Sequence, residues 1–170
     1  MKLTDLKKRM KSLEEYSAQA GWFESARYDN GVPVAQVAIY NEYGTSRIPP
    51  RPFMRPTVES QKQEWARATG KVVSQVLRGK MSAEQGMTLV AQKAAGDIRQ
   101  TISRVDSPPL SPITLLLRQW RKEGKEITGR TVGEAARAVH RGERAEGVST
   151  QPLNDTGYMI ATLTGLAVKK

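Results

Sequence analysis

The sequence lacks cysteine altogether and holds a single histidine, His140. Without cysteine the chain forms no disulfide, no thiolate zinc site and no cysteine nucleophile. Aromatic residues make up only 6% of the chain, so we expect a core that relies on alanine and valine. No apolar run approaches the roughly 20 residues that a membrane-spanning helix needs. The N-terminal stretch is charged throughout and shows no secretory signal pattern, which predicts a cytosolic protein.

Basic residues outnumber acidic ones by 27 to 17 and give a formal charge of +10. Such a charge favours contact with polyanions, either nucleic acid or the acidic face of a protein. A solvated basic surface with no dedicated partner is the alternative. Charge alone does not decide between them.

In the first third of the chain, apolar spacing predicts two helices around one strand. An amphipathic first helix is predicted by the three- and four-residue steps between Leu3, Leu6, Met10, Leu13 and Tyr16. The aromatics of "AGWFESARYDNG" and the turn signal after them predict a strand over about 20–27. In "PVAQVAIYNEYG" the early proline and the final glycine favour a short helix, with a strand as the alternative.

The rest of the chain predicts a long helical hairpin, a glycine-rich insertion and a terminal strand. Apolar stripes predict helices over about 54–78 and 82–105, paired antiparallel on a small sheet. Ser111 and Pro112 predict the start of a helix that runs to Glu123. Residues 124–151 hold five of the fourteen glycines and predict a mobile insertion with a helical turn or two. A short helix or turn and an edge strand follow at about 160–168.

Together these elements predict the fold class. We expect residues 1–170 to form a single α+β domain, in which a small antiparallel sheet packs with several helices, including a long helical hairpin.

The strongest catalytic candidate is Asp155-Thr156-Gly157, the triplet that carries the catalytic carboxylate of aspartic proteases. That chemistry needs two aspartates that share one proton at the ends of packed strands, whereas this triplet follows "QPLN" and has no twin in the chain. We therefore predict a turn or a helix cap there. His140 has no nearby serine or second histidine, and no glycine spacing matches a phosphate-binding loop. The sequence predicts no enzyme, no metal site and no cofactor.

Two groups of basic residues are candidates for contact with DNA or with an acidic partner. One group lies on the first predicted helix, and the other flanks Trp120, whose ring can stack on a base. Acidic residues interleave with both groups, no known DNA-reading motif appears, and Trp120 fits a core or an interface equally well. The candidates are Lys7, Lys8, Lys11, Arg118, Arg121 and Lys122.

The stretch "NEYGTSRIPPRPFMRP", residues 41–56, puts four prolines and three arginines into sixteen positions. Proline restricts the free chain, so this bend loses less entropy when it meets a partner. We expect Arg51 and Arg55 to project forked donors towards carboxylates of a neighbouring subunit. Phe53 is an anchor, either in its own core or across an interface. The alternative is a staple that merely fixes the following helix to the body.

The segment "VAIYNEYGTSRIPPRPFMRP" resembles one shared by a family of tailed-phage morphogenesis proteins, the neck or tail-completion (head–tail joining, minor tail) proteins. A second block, "PPLSPITLLLRQW" and then "QPLNDTGYMIATLT", is similar to the longer members of that family. The resemblance covers most of residues 18–166, but neither the first helix nor the insertion. The residues that it marks for an assembly interface are Glu42, Tyr43, Gly44, Ile48, Pro49, Arg51, Pro52, Phe53 and Arg55.

The resemblance implies a structural virion protein, part of a ring at the head–tail joint through which DNA passes. Its partners would be copies of itself, neighbouring neck, tail terminator or tail tube proteins, and the passing genome without sequence specificity. Neither a membrane nor a small-molecule substrate is implied. The expected location is the virion neck or tail, and the host cytoplasm during assembly. The alternative is a basic prophage-borne DNA-binding protein, while a regulatory prophage enzyme finds no supporting residues.

Overall fold

The computed structural model of the chain describes residues 3–170; Met1 and Lys2, which the single-domain prediction includes, lie outside the described residues. Within residues 3–170 the fold consists of seven helices and one two-stranded sheet, which confirms the α+β class. The elements in chain order are α1 (Leu3–Glu14), β1 (Tyr16–Gly21), α2 (Val34–Tyr43), α3 (Met54–Leu77), α4 (Ala83–Arg104), α5 (Pro112–Lys122), α6 (Gly129–His140), α7 (Tyr158–Thr162) and β2 (Thr164–Lys169).

The sheet joins the two ends of the chain. Strand β1 pairs antiparallel with β2, in a register that sets Tyr16 opposite Lys169 and Gly21 opposite Thr164. The predicted strand over 20–27 is wrong, because the real strand ends at Gly21, and two of the aromatics that suggested it, Trp22 and Tyr28, pack against the core instead. Trp22 donates from Nε1 to the Met159 carbonyl at 2.8 Å and meets the Phe53 ring edge-on, with ring centroids 5.9 Å apart.

The predicted helical hairpin is confirmed by α3 and α4, which pack together along their length. Gly86 allows this close approach, since a Cβ there would collide with the Val72 side chain. Two polar bonds cross the pair: Thr57 Oγ1 to Thr101 Oγ1 at 2.6 Å, and Trp65 Nε1 to Asp97 Oδ2 at 2.7 Å. Apolar packing and these bonds together fix the register of the hairpin.

The main core lies between α4, α2, the C-terminal segment and one face of the sheet. Strand β2 comes so close to α4 that a Cβ on Gly165 would collide with the backbone of Ala91. The buried side chains of this cluster are Val34, Ala38, Phe53, Ala95, Ile98, Ile102, Leu153, Met159 and Leu163. Alanine and valine contribute, as expected, but the largest buried side chain is Phe53.

The segment 124–151 contains a complete helix, longer than the turn or two that the glycine count suggested. Thr128 begins α6 with a reciprocal capping box to Thr131, which satisfies backbone N–H groups at the helix start. Ala135 and Ala138 then pack on Leu116 of α5 and form a second, smaller apolar cluster. The apolar residues and the capping box of α6 outweigh the glycines, which weaken helices. Whether residues 124–151 are mobile stays a prediction.

Candidate assembly site

The carboxylate of Glu42 caps the start of helix α3, although Glu42 lies eleven residues before Phe53, the N-cap residue. Its Oε2 accepts the backbone N–H groups of Phe53 at 2.7 Å and Met54 at 2.8 Å, and its Oε1 accepts that of Arg55 at 3.1 Å. The residue at the N-cap position, Phe53, has no side chain that can cap. Glu42 therefore supplies the cap and also places its negative charge at the positive end of the helix.

Glu42 is only 3% exposed, yet the site keeps it ionised. Burial by itself would raise the pKa of this carboxyl, but the three backbone N–H donors and the Arg55 side chain outweigh burial and lower it. The Arg55 guanidinium donates from Nε to Oε1 at 3.0 Å and lies over the Tyr43 ring, 4.8 Å from its centroid. These residues form a closed intramolecular unit, which we call the Glu42 knot: Glu42, Tyr43, Phe53 and Arg55.

Gly44 turns the chain back towards α2. Its φ of 76° lies in the left-handed region, and a Cβ there would collide with the Ile48 carbonyl and with Pro50. The bend then returns far enough for the Arg51 N–H to donate to the Asn41 carbonyl at 2.6 Å. The predicted stop after Tyr43 is confirmed, and the glycine is needed by the shape of the turn.

The prediction that Arg51 projects its whole fork outward is wrong, because two of its donors are bonded within the chain. The residue is 4% exposed and donates from Nε to the Pro108 carbonyl at 2.6 Å and from Nη2 to the Pro109 carbonyl at 3.0 Å. Burial lowers its pKa. Arg51 thus holds the segment before α5 against the bend, because proline carbonyls are free acceptors in a segment without ladder or helix bonds.

The other predicted interface residues divide by exposure. Phe53 belongs to its own core, where it is fully buried, so the staple interpretation is correct for that residue. Arg55 is exposed but already paired with Glu42, in contrast to the expected outward fork. Ile48 is half-buried, whereas Tyr43, Pro49 and Pro52 are exposed. Their place in an interface stays a prediction.

Sequence reasoning missed the outer face of α2. Ile39 and Tyr43 are 56% and 63% exposed, and Tyr40 lies between them with its hydroxyl accepting from Gln36 Nε2. Their spacing of one, three and four residues places them on one side of the helix. The same spacing was visible in the sequence, but the buried residues Val34 and Ala38 on the other side concealed it. The α2 stripe is hereafter Ile39, Tyr40 and Tyr43.

The basic residues around Trp120 are all bonded within the chain, although Arg121 and Lys122 stay exposed, so their contact with DNA or an acidic partner stays a prediction. Arg118, expected to reach DNA, is buried and donates from its guanidinium to the backbone carbonyls of 149, 151, 152 and 154, at distances from 2.7 to 3.4 Å. Burial first, and then the nearby charges of Arg121 and Arg51, lower its pKa. That prediction is wrong, because Arg118 shapes the loop before α7.

Its neighbours on α5 are also engaged within the chain. Arg121 is paired with Asp155, and Lys122 donates to the Gly147 carbonyl at 3.0 Å. Trp120 belongs to the smaller apolar cluster, with Lys125 Nζ 3.7 Å from its ring centroid. By contrast Lys7, Lys8 and Lys11 are exposed on α1, which packs against the α3–α4 hairpin, away from the α5–α6 pair.

The catalytic candidates occupy structural positions. The Asp155 carboxylate pairs with Arg121 and, at 3.4 Å, with Arg118 Nε, while Thr156 Oγ1 accepts the Tyr158 N–H as α7 begins. The predicted turn is therefore confirmed, and Thr156 accepts a backbone hydrogen bond as expected, but the N-cap residue of α7 is Gly157, which has no side chain to cap the helix. His140 is exposed at the end of α6. Among residues 3–170 no group of three His, Asp or Glu side chains is placed to hold a metal ion.

No helix within residues 3–170 is long and apolar enough to cross a membrane. Comparison of the chain with protein-family models, curated proteins and solved structures finds no match in any of the three.

Proposed function

We propose that this protein is a structural assembly protein, a ring component of the phage neck or tail-completion complex, as the sequence resemblance implies. The observation that carries the proposal is the α2 stripe, an apolar surface left exposed beside the rigid bend. Exposed apolar side chains grouped on one helix face are typical of interaction sites, whereas scattered ones are not. Aromatic residues such as Tyr40 and Tyr43 are also enriched in the centres of interfaces.

The Glu42 knot supports this role by fixing the stripe in place. Glu42 is the penultimate residue of α2 and is bonded to the first backbone N–H groups of α3, so the two helices cannot move independently at this corner. A surface that is rigid before binding loses less entropy on association. Glu42, Phe53 and Arg55 thus act behind the proposed interface: they hold the stripe, to which Tyr43 itself belongs, and the stripe meets the partner.

A second and different surface, with one exposed apolar side chain at each end and a lysine between them, lies on α1. Leu3 is 68% exposed and Met10 51%, and they flank Lys7 on the outer side of the helix. Contact between two unlike surfaces is heterologous, and repeated head-to-tail contacts close into a ring when the rotation permits. A single copy, with a radius of gyration of roughly 15 Å, cannot enclose DNA. We therefore propose that the α2 stripe of one copy meets α1 of the next.

The test is the mass of the protein by light scattering over a concentration series that reaches the millimolar range. Wild type is expected to shift to a discrete multiple of 18.8 kDa. Ile39→Asp and Leu3→Asp should each remain monomeric, whereas their mixture should stop at a dimer through the one intact pair of surfaces. Leu89→Asp is the matched control, since Leu89 is 52% exposed on α4, outside both surfaces. Wild type that stays monomeric throughout, or association that both variants retain, contradicts the proposal.

The alternative, a DNA-binding protein, is favoured by one observation: Lys7, Lys8 and Lys11 are exposed and have no ion pair in the described part of the chain. If this face binds DNA, the monomer should bind short duplexes with a steep salt dependence. Replacing the three lysines with glutamine should then flatten the slope of log K against log salt by up to about 3. An unchanged slope would remove the alternative.

A further inference from the structure

A cleft of about 710 Å³ lies between the proline bend, the start of α5 and the loop before α7. Residues of the bend (Arg47, Ile48 and Arg51) line it together with Leu117 and Ile127. None of the contacts described so far fills it, and it is separate from the α2 stripe. Its size suits one or two side chains of a bound segment.

The cleft carries more positive charge than its own residues neutralise. Four arginines line it, at positions 47, 51, 118 and 121, against a single carboxylate, that of Asp155. Asp155 is already shared by Arg118 and Arg121. Arg47 and Arg51 therefore have no counter-ion among residues 3–170. For the buried Arg51 the lack of a counter-ion is costly, whereas the charge of the exposed Arg47 stays solvated.

Arg51 is the decisive residue, because it is buried and still has donors to offer. Its Nε and Nη2 bond the carbonyls of Pro108 and Pro109, but its Nη1 has no hydrogen-bond partner in the part of the chain that the structure describes. No buried side-chain nitrogen there is left both fully enclosed and unpaired. Nη1 therefore reaches open space, and the space that Arg51 borders is the cleft. The two carbonyl bonds hold the guanidinium in one orientation.

The other residues that line the cleft favour a carboxylate over a phosphate as the bound anion. The N-terminus of α5 lies at the cleft, with Ser111 as its cap, and adds the positive end of an eleven-residue helix. Around the charges the walls are apolar: Ile48, Pro49, Leu110, Leu117 and Ile127. A guanidinium surrounded by apolar walls suits a carboxylate that has apolar neighbours. It suits less well the hydrated phosphate backbone of a duplex, which offers nothing to the apolar surface.

We propose that this cleft binds an acidic segment of a partner protein, with one Asp or Glu carboxylate bonded to Arg51 and Arg47 and an adjacent apolar side chain resting on Leu117 and Ile127. The site does not depend on the ring, because it shares no residue with the α2 stripe or α1. It explains why two arginines of the bend lie in a region with so little negative charge.

The probe is a terminally blocked peptide of alternating leucine and glutamate, with its leucine–glutamine counterpart as the uncharged control. Isothermal calorimetry with the full chain should show binding of the glutamate peptide with a Kd on the order of 0.1 mM, and none of the control. Arg47→Glu should weaken that binding at least tenfold. It should leave Tm unchanged, since the Arg47 side chain is exposed and makes no bond within residues 3–170.

Arg144→Glu is the matched control for Arg47→Glu: it makes the same charge change at an exposed position outside the cleft and should bind like wild type. Arg51→Lys keeps the charge but loses the fork, so it should weaken binding severalfold while the protein stays folded by circular dichroism. Asp155→Asn releases Arg121 and should tighten binding.

Three results would overturn the proposal. The first is equal binding of the glutamate and glutamine peptides, or of neither. The second is equal loss in Arg47→Glu and Arg144→Glu, which would mean that net charge alone acts. The third is binding of inorganic phosphate or duplex DNA as tightly as the peptide with the same dependence on Arg47, which would make this a site for phosphate.

Discussion

The main body, which consists of α1–α4, α7 and the sheet, and the α5–α6 pair differ in what stabilises each of them. The body surrounds an apolar cluster of nine buried side chains, with α3, α4 and the sheet packed against one another. The α5–α6 pair has a cluster of three, centred on Leu116. Buried apolar area is the main favourable term in folding, so the body folds on its own packing. The small cluster cannot hold its two helices alone.

Polar bonds attach the α5–α6 pair to the body. From α5, Arg118 bonds the carbonyls of the loop 149–154, and Leu153 of that loop is buried in the main core. From the body, Arg51 bonds the carbonyls that precede α5. The two buried arginines therefore have a structural role: each bonds backbone carbonyls that connect the α5–α6 pair to the body. Where the α5–α6 pair meets the body, hydrogen bonds from arginine side chains take the place of apolar packing.

The largest expected effect on stability comes from truncating one large buried side chain in each apolar cluster. Phe53→Ala should lower the free energy of unfolding of the whole chain by about 4 kcal/mol. Leu116→Ala should cost about 3 kcal/mol, but only in the α5–α6 pair. Hydrogen exchange in both variants checks this: α4 should lose protection in Phe53→Ala and keep it in Leu116→Ala. If Leu116→Ala exposes α4 equally, the two regions unfold as one and the comparison fails.

A smaller effect is expected at the Glu42 knot. Glu42→Gln removes the charge that caps α3 and should cost roughly 2 kcal/mol at neutral pH. Because the folded-state pKa of Glu42 is lowered, its contribution is fully present above the ordinary glutamate pKa of about 4.3 and is lost as pH falls through the folded value. Urea titrations from pH 7 to pH 3 should show the stability gap between wild type and Glu42→Gln closing with acidification. A gap that does not change with pH would mean that the Glu42 charge is unimportant.

The smallest expected effect on stability comes from removing one helix cap in the body and the equivalent cap in the α5–α6 pair. Ser82→Ala and Thr128→Ala each remove the side chain of a capping box, one on α4 and one on α6, and each should cost about 1 kcal/mol. Global urea unfolding should register the loss in Ser82→Ala. In Thr128→Ala, hydrogen exchange should register it in α6 alone. Equal shifts of the global midpoint would show that α6 is as much a part of the cooperative unit as α4.

Helices were predictable where periodic apolar residues and caps agreed. The apolar stripes of α3 and α4 and the Ser111–Pro112 start of α5 lie where the sequence placed them. For α6 the same signals existed in Thr128, Ala135 and Ala138, but the glycines outweighed them. For β1 the signal was absent: "YSAQAG" has weak strand propensity and depends on β2, which lies at the far end of the chain.

The candidate site was predictable in position but not in role. The motif marked residues 42–55, yet it could not show which way Glu42 and Arg51 point, and nothing in the sequence of α5 showed which way Arg118 points. Their partners are backbone N–H and C=O groups, which every residue carries and no sequence pattern marks. A charged side chain that bonds the backbone therefore looks, in sequence, the same as one that faces a partner.

The pairing of β1 with β2 also sets the order of folding. Nearly the whole chain lies between the two strands, whereas α3 and α4 are joined by a short turn. Local contacts form early, and contacts between distant segments wait for the loop between them to close. On a ribosome the α3–α4 hairpin can form well before β2 has been made, so the side of α4 that receives Gly165 remains bare until then. Of the two paired strands, β2 is synthesised second, and its arrival completes this side of the core.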